Sequence, residues 1–300
     1  MNQATQYYKV AWHIFSVTMS EDDPLWNQIG QYDPFKVEPD GDNELFSLNL
    51  VDSLPDLEKE PFLVGEPEPG MSRIDAFTSG KTFVFEMAPL ADLPIVGVLH
   101  VDADFKEGKL LCKGNSRSRL FSFNNSLMVL FAFSTASLGT LMMHSSVTVH
   151  EGKGYLFLGK SGTGKSTHSR MWLENISGTE LLNDDNPVLR ITDDEARVYG
   201  TPWSGKTPCY RNLDFPVGAI VRIKRAPYNK ATRLPLMEAY ASVYSSCSSL
   251  RPLRKVADGL HSTISSVAAT VPCFVMECLP DAEAALVCRK AVEFEEYGHQ

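Results

Sequence analysis

Apolar residues in the first part of the chain come in short runs, rich in β-branched and aromatic types, between clusters of turn-forming residues. The runs at 8–17, 45–50, 82–87, 95–101 and 108–112 read as strands, and EPDGDN, VGEPEPG and TSGK punctuate them. The pattern changes near Ser122. Residues 124–137 predict an apolar helix, 142–149 a strand, Glu151-Gly152-Lys153-Gly154 a turn, and YLFL at 155–158 a second strand. A connection this short predicts an antiparallel hairpin and not a crossover between parallel strands. Further strands are expected at 180–182, 188–191, 197–199, 217–223 and 273–277, with helices at 235–245, 254–269 and 282–294. There is no internal repeat and no low-complexity linker. The chain therefore divides into a β-rich domain, 1–120, whose role is not legible, and a mixed α/β domain, 121–300.

The hairpin leads directly into GKSGTGKS at 159–166, a complete match to G-x-x-x-x-G-K-[ST]. A strand precedes it and THSRMWLENI can continue as a helix, the context in which this loop binds phosphates. Gly159, Gly162 and Gly164 let backbone N–H groups curl around an anion, with Ser161 and Thr163 between them and Thr167 just beyond. The helix start adds its unsatisfied N–H groups and positive dipole end. Lys165 is expected on the β- and γ-phosphates and the Ser166 hydroxyl on Mg²⁺, which makes ATP with Mg²⁺ the expected ligand pair.

Beyond the loop comes LLNDD at 181–185, a short apolar strand ending in paired carboxylates. Asp184 is expected to hold Mg²⁺ and Asp185 to take the proton of an incoming hydroxyl, although the reverse division is open. His144, on the strand paired with the one feeding the loop, can hydrogen-bond a catalytic carboxylate or shuttle a proton, or serve structure alone. His150 and His168 read as solvent-facing or helix-surface groups. The segment 200–206, GTPWSGK, reads as a shaped loop around an exposed Trp203. Thr201, Ser204 and Lys206 can meet a phosphoryl group or the acceptor, with Arg211 close behind, and Arg222 and Arg233 are further candidates for anion contacts.

Composition narrows the classes. The chain is 43% hydrophobic and 22% charged, as in a globular protein, and its net charge of -9 argues against a general nucleic-acid binder. Acidic residues crowd the first hundred positions, whereas from Arg197 to Lys255 only Asp214 and Glu238 oppose a run of lysines and arginines. Such a basic stretch beside a phosphate loop can focus the field on an anionic substrate. The apolar segment 127–143 is broken by Ser134, Thr135, Ser137, Gly139 and Thr140, short of a membrane span. MNQATQYYKVAWHIFSV has neither the charge nor the cleavage site of a signal peptide. The six cysteines form no CxxC pair, so free thiols and a cytoplasmic location are expected.

Three segments, HSSVTVHEGKGYLFLGKSGTGKST (144–167), LLNDD (181–185) and YGTPWSGK (199–206), together resemble the C-terminal catalytic domain of the HPr kinase/phosphorylase group, which is related to ATP-dependent phosphoenolpyruvate carboxykinase. The resemblance covers roughly residues 120–295 and implies a divergent member with a compact mixed α/β core. It implies that His144 assists the acidic pair, Lys165 holds phosphates, Ser166 and Asp184 hold Mg²⁺, and Asp185 acts as acid or base. Thr167 stands where HPr kinase has a glutamate. The function expected is transfer of the γ-phosphoryl of ATP to a hydroxyl of a small molecule or a protein serine, without nucleic-acid or membrane partners. A homo-oligomer is left open. Carboxykinase-like chemistry on oxaloacetate and a non-catalytic ATP-binding regulatory module are the alternatives.

Overall fold

The computed structural model describes residues 2–294 apart from 40, 42, 67, 69, 194, 249 and 251. Arg251, one of the cations of the basic stretch, thus lies outside the described residues. The chain is mixed α/β and separates into two units, Met1–Thr135 with Leu250–Arg254, and Ala136–Ser249 with Lys255–Gln300.

The first unit is built from β1 (Gln3–Val10), β2 (His13–Ser20), β3 (Lys36–Val37), β4 (Glu44–Leu50), β5 (Glu60–Leu63), β6 (Arg73–Ser79), β7 (Thr82–Ala88), β8 (Gly97–Val101), β9 (Glu107–Cys112) and α1 (Ser116–Ser134). Its strands form one sheet in the order β3-β1-β2-β4-β9-β8-β7-β6-β5, and α1 packs across β4, β9 and β8. Phe15 stacks on Phe46 with ring centroids 4.9 Å apart, and Phe131 of α1 meets Phe15 edge-on. The single strand expected at 8–17 is instead a hairpin. Its turn places Ala11 and Trp12 at φ of 48° and 67°, the left-handed pair a two-residue hairpin loop requires but which neither residue signals in sequence. The helix expected at 124–137 begins earlier, because the Asn115 side chain caps it by accepting from the Ser118 N–H at 3.0 Å. That helix places the end of the first unit at Thr135, beyond the boundary expected near 120.

The second unit holds β10 (Thr140–Met142), β11 (Ser145–His150), β12 (Lys153–Leu158), α2 (Lys165–Asn175), β13 (Glu180–Asn183), β14 (Val188–Thr192), β15 (Glu195–Tyr199), β16 (Asp214–Arg225), β17 (Lys230–Arg233), α3 (Leu236–Tyr244), α4 (Arg254–Thr270), β18 (Cys273–Cys278) and α5 (Ala282–Phe294). The main path of its sheet runs β10-β14-β15-β16-β12-β11-β13. β11 and β12 are antiparallel, joined by Glu151 and Gly152 at φ of 47° and 75°. β12 then pairs parallel with β16. β16 is 12 residues long and changes neighbour along its other edge: Asp214–Pro216 pair antiparallel with β15, and its last residues pair parallel with β18, which carries β17. Tyr155 and Phe157 of β12, Val221 and Ile223 of β16, and Met276 of β18 present one face to α2 and α5. There the fully buried Trp172 meets Tyr155 and Phe157 at centroid distances of 5.0 and 5.4 Å. In α4 the buried Val256, Leu260, Ile264 and Val267 recur at helical spacing. The strand expected at 142–149 breaks at Met143–His144: Met143 bridges Cys247, and the His144 N–H donates to Ser246 O at 2.7 Å. Among the described residues no helix is long and apolar enough to cross a membrane. All six cysteines are free thiols.

Candidate functional site

β12 delivers the chain into the glycine-rich segment with the conformations that glycine makes accessible. Gly162 has φ 75° and Gly164, the residue before α2, has φ 111°. A Cβ at Gly159 would run into the Thr163 hydroxyl. Thr163 closes the loop by donating from both its N–H (3.2 Å) and its hydroxyl (2.8 Å) to Lys160 O. Gly164 has no side chain with which to cap α2, so the first turn of the helix presents its N–H groups and positive dipole end without a side-chain acceptor. A Arg225 guanidinium N–H donates to Gly162 O and braces the loop from β16.

Lys165 is buried and its Nζ lies 3.0 Å from His144 Nε2 and 3.1 Å from Gly159 O. Burial lowers its pKa, and the nearby Asp185 and Asp184 oppose that shift only in part. The other side of the His144 ring faces Asp185, with Nδ1 3.0 Å from Oδ1. With Lys165 donating to Nε2, a proton on Nδ1 is placed to be donated to Asp185. The remaining Asp185 oxygen accepts from Asn186 Nδ2 at 2.8 Å. Lys165, His144 and Asp185 thus form a continuous line.

Asp184 is buried and held differently: one oxygen accepts from the Ser146 hydroxyl at 2.9 Å, the other from the Thr207 N–H at 3.3 Å. Ser146 in turn meets Ser169 of α2 at 2.6 Å. The acidic turn itself is shaped by Asn183, which is completely buried. Its Oδ1 accepts from the Asp185 and Asn186 N–H groups at 2.9 and 3.0 Å, and its Nδ2 donates to Thr201 Oγ1 at 3.1 Å and Trp203 O at 3.3 Å. One amide therefore ties the double aspartate to the 200–206 loop. Gly205 completes the contact: a Cβ there would lie 3.0 Å from that of Asp185 and 3.1 Å from Asp184 O.

These groups surround a cavity of about 490 Å³, within the range of small-molecule sites. Of the residues singled out from sequence, His144, Lys165, Asp184 and Asp185 line it, as do Ser161, Gly162, Gly164, Ser166, Thr167 and Lys206. Trp203 is buried and contributes its carbonyl to Asn183, so the exposed tryptophan expected there is not found. Ser204 donates to Thr207 O. Arg211 is directed to Glu180 and Leu181 O, at 2.7 and 2.8 Å, and Arg222 to Ser242, Ser245 and Ser246 around the end of α3. Arg233 lies on a separate cavity beside α3.

Asn183, Asn186, Ser146 and Arg225 went unmarked in the sequence. So did a second cavity, about 540 Å³, that shares Gly164, Thr167 and Arg225 with the first and is otherwise lined by Thr163, His168 and mostly apolar groups such as Met171, Ile223, Leu279 and Pro280. His150 and His168 are both buried, not solvent-facing. His168 shares a helix face with Trp172, whose indole N–H donates to its Nε2 at 3.2 Å, and burial pushes its pKa down to about 4. Chemically, the site can hold a chain of oxyanions along the loop and helix start, place an oxygen-liganded cation by Ser166 and Asp184, and offer an oriented carboxylate at Asp185.

No protein-family model matches the sequence, and no curated protein matches it. Among solved structures the chain is similar to the HPr(Ser) kinase/phosphatase from Coxiella burnetii, at 12% sequence identity over 52% of this chain and 97% of that one, with a TM-score of 0.31.

Proposed function

We propose that the second unit is an ATP- and Mg²⁺-dependent phosphotransferase, a divergent relative of the HPr kinase/phosphorylase group, acting on a hydroxyl of a small molecule or a protein serine. The observation that carries this reading is the line Lys165–His144–Asp185 on the wall of the cavity that the glycine-rich loop also lines. A binding-only module needs the phosphate loop but has no need of a carboxylate aligned by a histidine. The neighbouring apolar cavity is of a size and character to take a nucleoside base while the phosphates follow the loop.

The residues fit the ligands. The glycines leave room for oxyanions, and a hydroxyl with a carboxylate is a donor set suited to Mg²⁺. Ser166 and Asp184 would hold the ion, which when bound neutralises phosphate charge. Lys165 and the helix start stabilise negative charge on the transferring group. Asp185 accepts the proton of the acceptor hydroxyl, and the His144 N–H keeps its near oxygen oriented. Lys206, on the rim, supplies a cation toward the acceptor side.

The test is incubation with γ-labelled ATP and a fractionated cell extract, with label sought in protein and in small molecules. Asp185→Asn is expected to keep nucleotide binding while transfer falls by about 10²–10⁴-fold. Unchanged transfer in that variant would refute the assignment of the base. Nucleotide-dependent CO₂ release from oxaloacetate would redirect the reading to carboxykinase-like chemistry.

A further inference from the structure

We propose a divalent transition-metal site, best suited to Zn²⁺, at His150, Glu151 and Glu293, where the β11–β12 turn meets the last turn of α5. The observation is an orphaned imidazole nitrogen. His150 is 3% exposed, and its buried Nε2 has no hydrogen-bond partner. Glu151 Oε1 lies 3.6 Å and Glu293 Oε1 3.7 Å away, both too far for a hydrogen bond. The other nitrogen, Nδ1, faces Thr179 Oγ1 at 3.4 Å. With the ring proton on Nδ1 toward that hydroxyl, the Nε2 lone pair points at two carboxylates. The buried lone pair thus faces two carboxylates, Glu293 partly buried and Glu151 exposed, and a cation standing between them would satisfy all three.

The spacing matches such a cation. Zn²⁺ bound by nitrogen and oxygen at about 2.0–2.2 Å sets neighbouring ligands of a tetrahedron about 3.3–3.6 Å apart. The three ligand atoms all lie within 4.8 Å of one another, so a small inward shift of the carboxylates closes the set. A threonine on the far ring nitrogen is the kind of outer partner that fixes the tautomer of a metal-bound histidine. Arg289 supplies a nearby charge of opposite sign. Its Nε contacts Glu293 Oε1 at 2.7 Å and its Nη2 is 3.9 Å from Glu151 Oε1. The oxygens nearest Nε2 are the same Oε1 atoms that Arg289 approaches, so an ion bound there shares or displaces the Arg289–Glu293 contact. Three protein ligands leave a fourth position for water. The site is separate from the cavity of the proposed kinase reaction and does not rest on that reading.

The experiment uses the full chain carrying Asp184→Asn and Asp185→Asn, which removes the other carboxylate pair able to take a divalent ion. After stripping with EDTA it is titrated with Co²⁺ and then Zn²⁺. One equivalent of Co²⁺ with the intense visible absorption of four-coordination, displaced by Zn²⁺ and accompanied by a rise in Tm, is expected. His150→Gln should weaken binding by more than the roughly 10–100-fold that losing an outer partner costs. Glu293→Gln should do the same, and Glu151→Gln, in an exposed turn, keeps the test valid should the buried histidine variant not fold. Failure of the stripped protein to bind Co²⁺, or affinity unchanged in the glutamate variants, would overturn the site and leave a histidine–carboxylate cluster only.

Discussion

Asn183→Ala separates the shape of the acidic turn from its charge. The wild-type amide receives two backbone N–H groups and donates twice, all at a position with no solvent exposure. Its removal does not orphan every partner. Asn186 N–H keeps Trp203 O at 3.3 Å, and Thr201 Oγ1 keeps the Trp203 N–H at 3.2 Å. The Asp185 N–H loses its acceptor in a part-buried setting, which costs toward the lower end of about 1–3 kcal/mol. Three further hydrogen bonds weaken or vanish at about 0.5–1.5 kcal/mol each, offset in part by those retained contacts. A loss near 3 kcal/mol follows, measured as the urea midpoint of the second unit by the fluorescence of Trp172 and Trp203. Phosphoryl transfer should fall much further than nucleotide binding, because the loop 159–166 is untouched while Asp185 loses its placement. A loss below about 1 kcal/mol, or equal declines in binding and transfer, would refute the view that this amide sets the turn.

Gly205→Ala brings a methyl to within 3.0 Å of the Asp185 Cβ and should lower transfer with little change in overall stability, as steady-state rates and Tm measured on one preparation will show. His168 titrates near 4 in the folded chain because burial disfavours its charged form, against an ordinary value of 6.5. The unfolded chain therefore binds the extra proton first, and this residue makes stability fall as pH drops from about 6.5 to about 4, by up to roughly 1.4 kcal/mol per unit. In His168→Gln that slope should shrink over this window, followed by urea titration at several pH values, and an unaltered slope would count against the buried neutral ring.

The Lys165–His144–Asp185 line was readable because its signals are local. A glycine-rich octet between strand and helix, and a double aspartate closing a short strand, each announce their chemistry without help from distant residues. His144 was found by its place on the hairpin, yet the break in the strand beside it was not, since it depends on Met143 pairing with Cys247, far along the chain. Asn183 and Asn186 flank the aspartates in plain view, but what an asparagine amide reaches is decided by the fold of the 200–206 loop. The apolar cavity joins Met171, Ile223 and Leu279 from three separate segments, so no window of sequence contains it. His168 was misread although a cue existed: it stands one helical turn before Trp172, on the face that periodicity assigns to the core. The Ala11–Trp12 turn offered no cue, since neither residue favours a positive φ.

The change of neighbour along β16 gives the second unit a seam. The arm made of β10, β14 and β15 is joined to β16 by three residue pairs, Arg197–Pro216, Val198–Phe215 and Tyr199–Asp214, and one of these involves a proline that has no N–H to donate. Farther along the same edge of β16 the parallel run with β18 extends from Ile220 to Arg225. Opening of the unit is therefore expected to begin at this shorter ladder, with β12, β16, β18 and the helices over them the last to part, as hydrogen exchange along β15 and β18 will show. The 200–206 loop leaves from the end of β15 and is tied through Asn183 to the end of β13, so the wall that carries Gly205 and Lys206 spans the seam, whereas the glycine-rich loop stands on the continuous part. Under the proposed function, grip on the nucleotide and admission of the acceptor would then rest on parts joined across that seam.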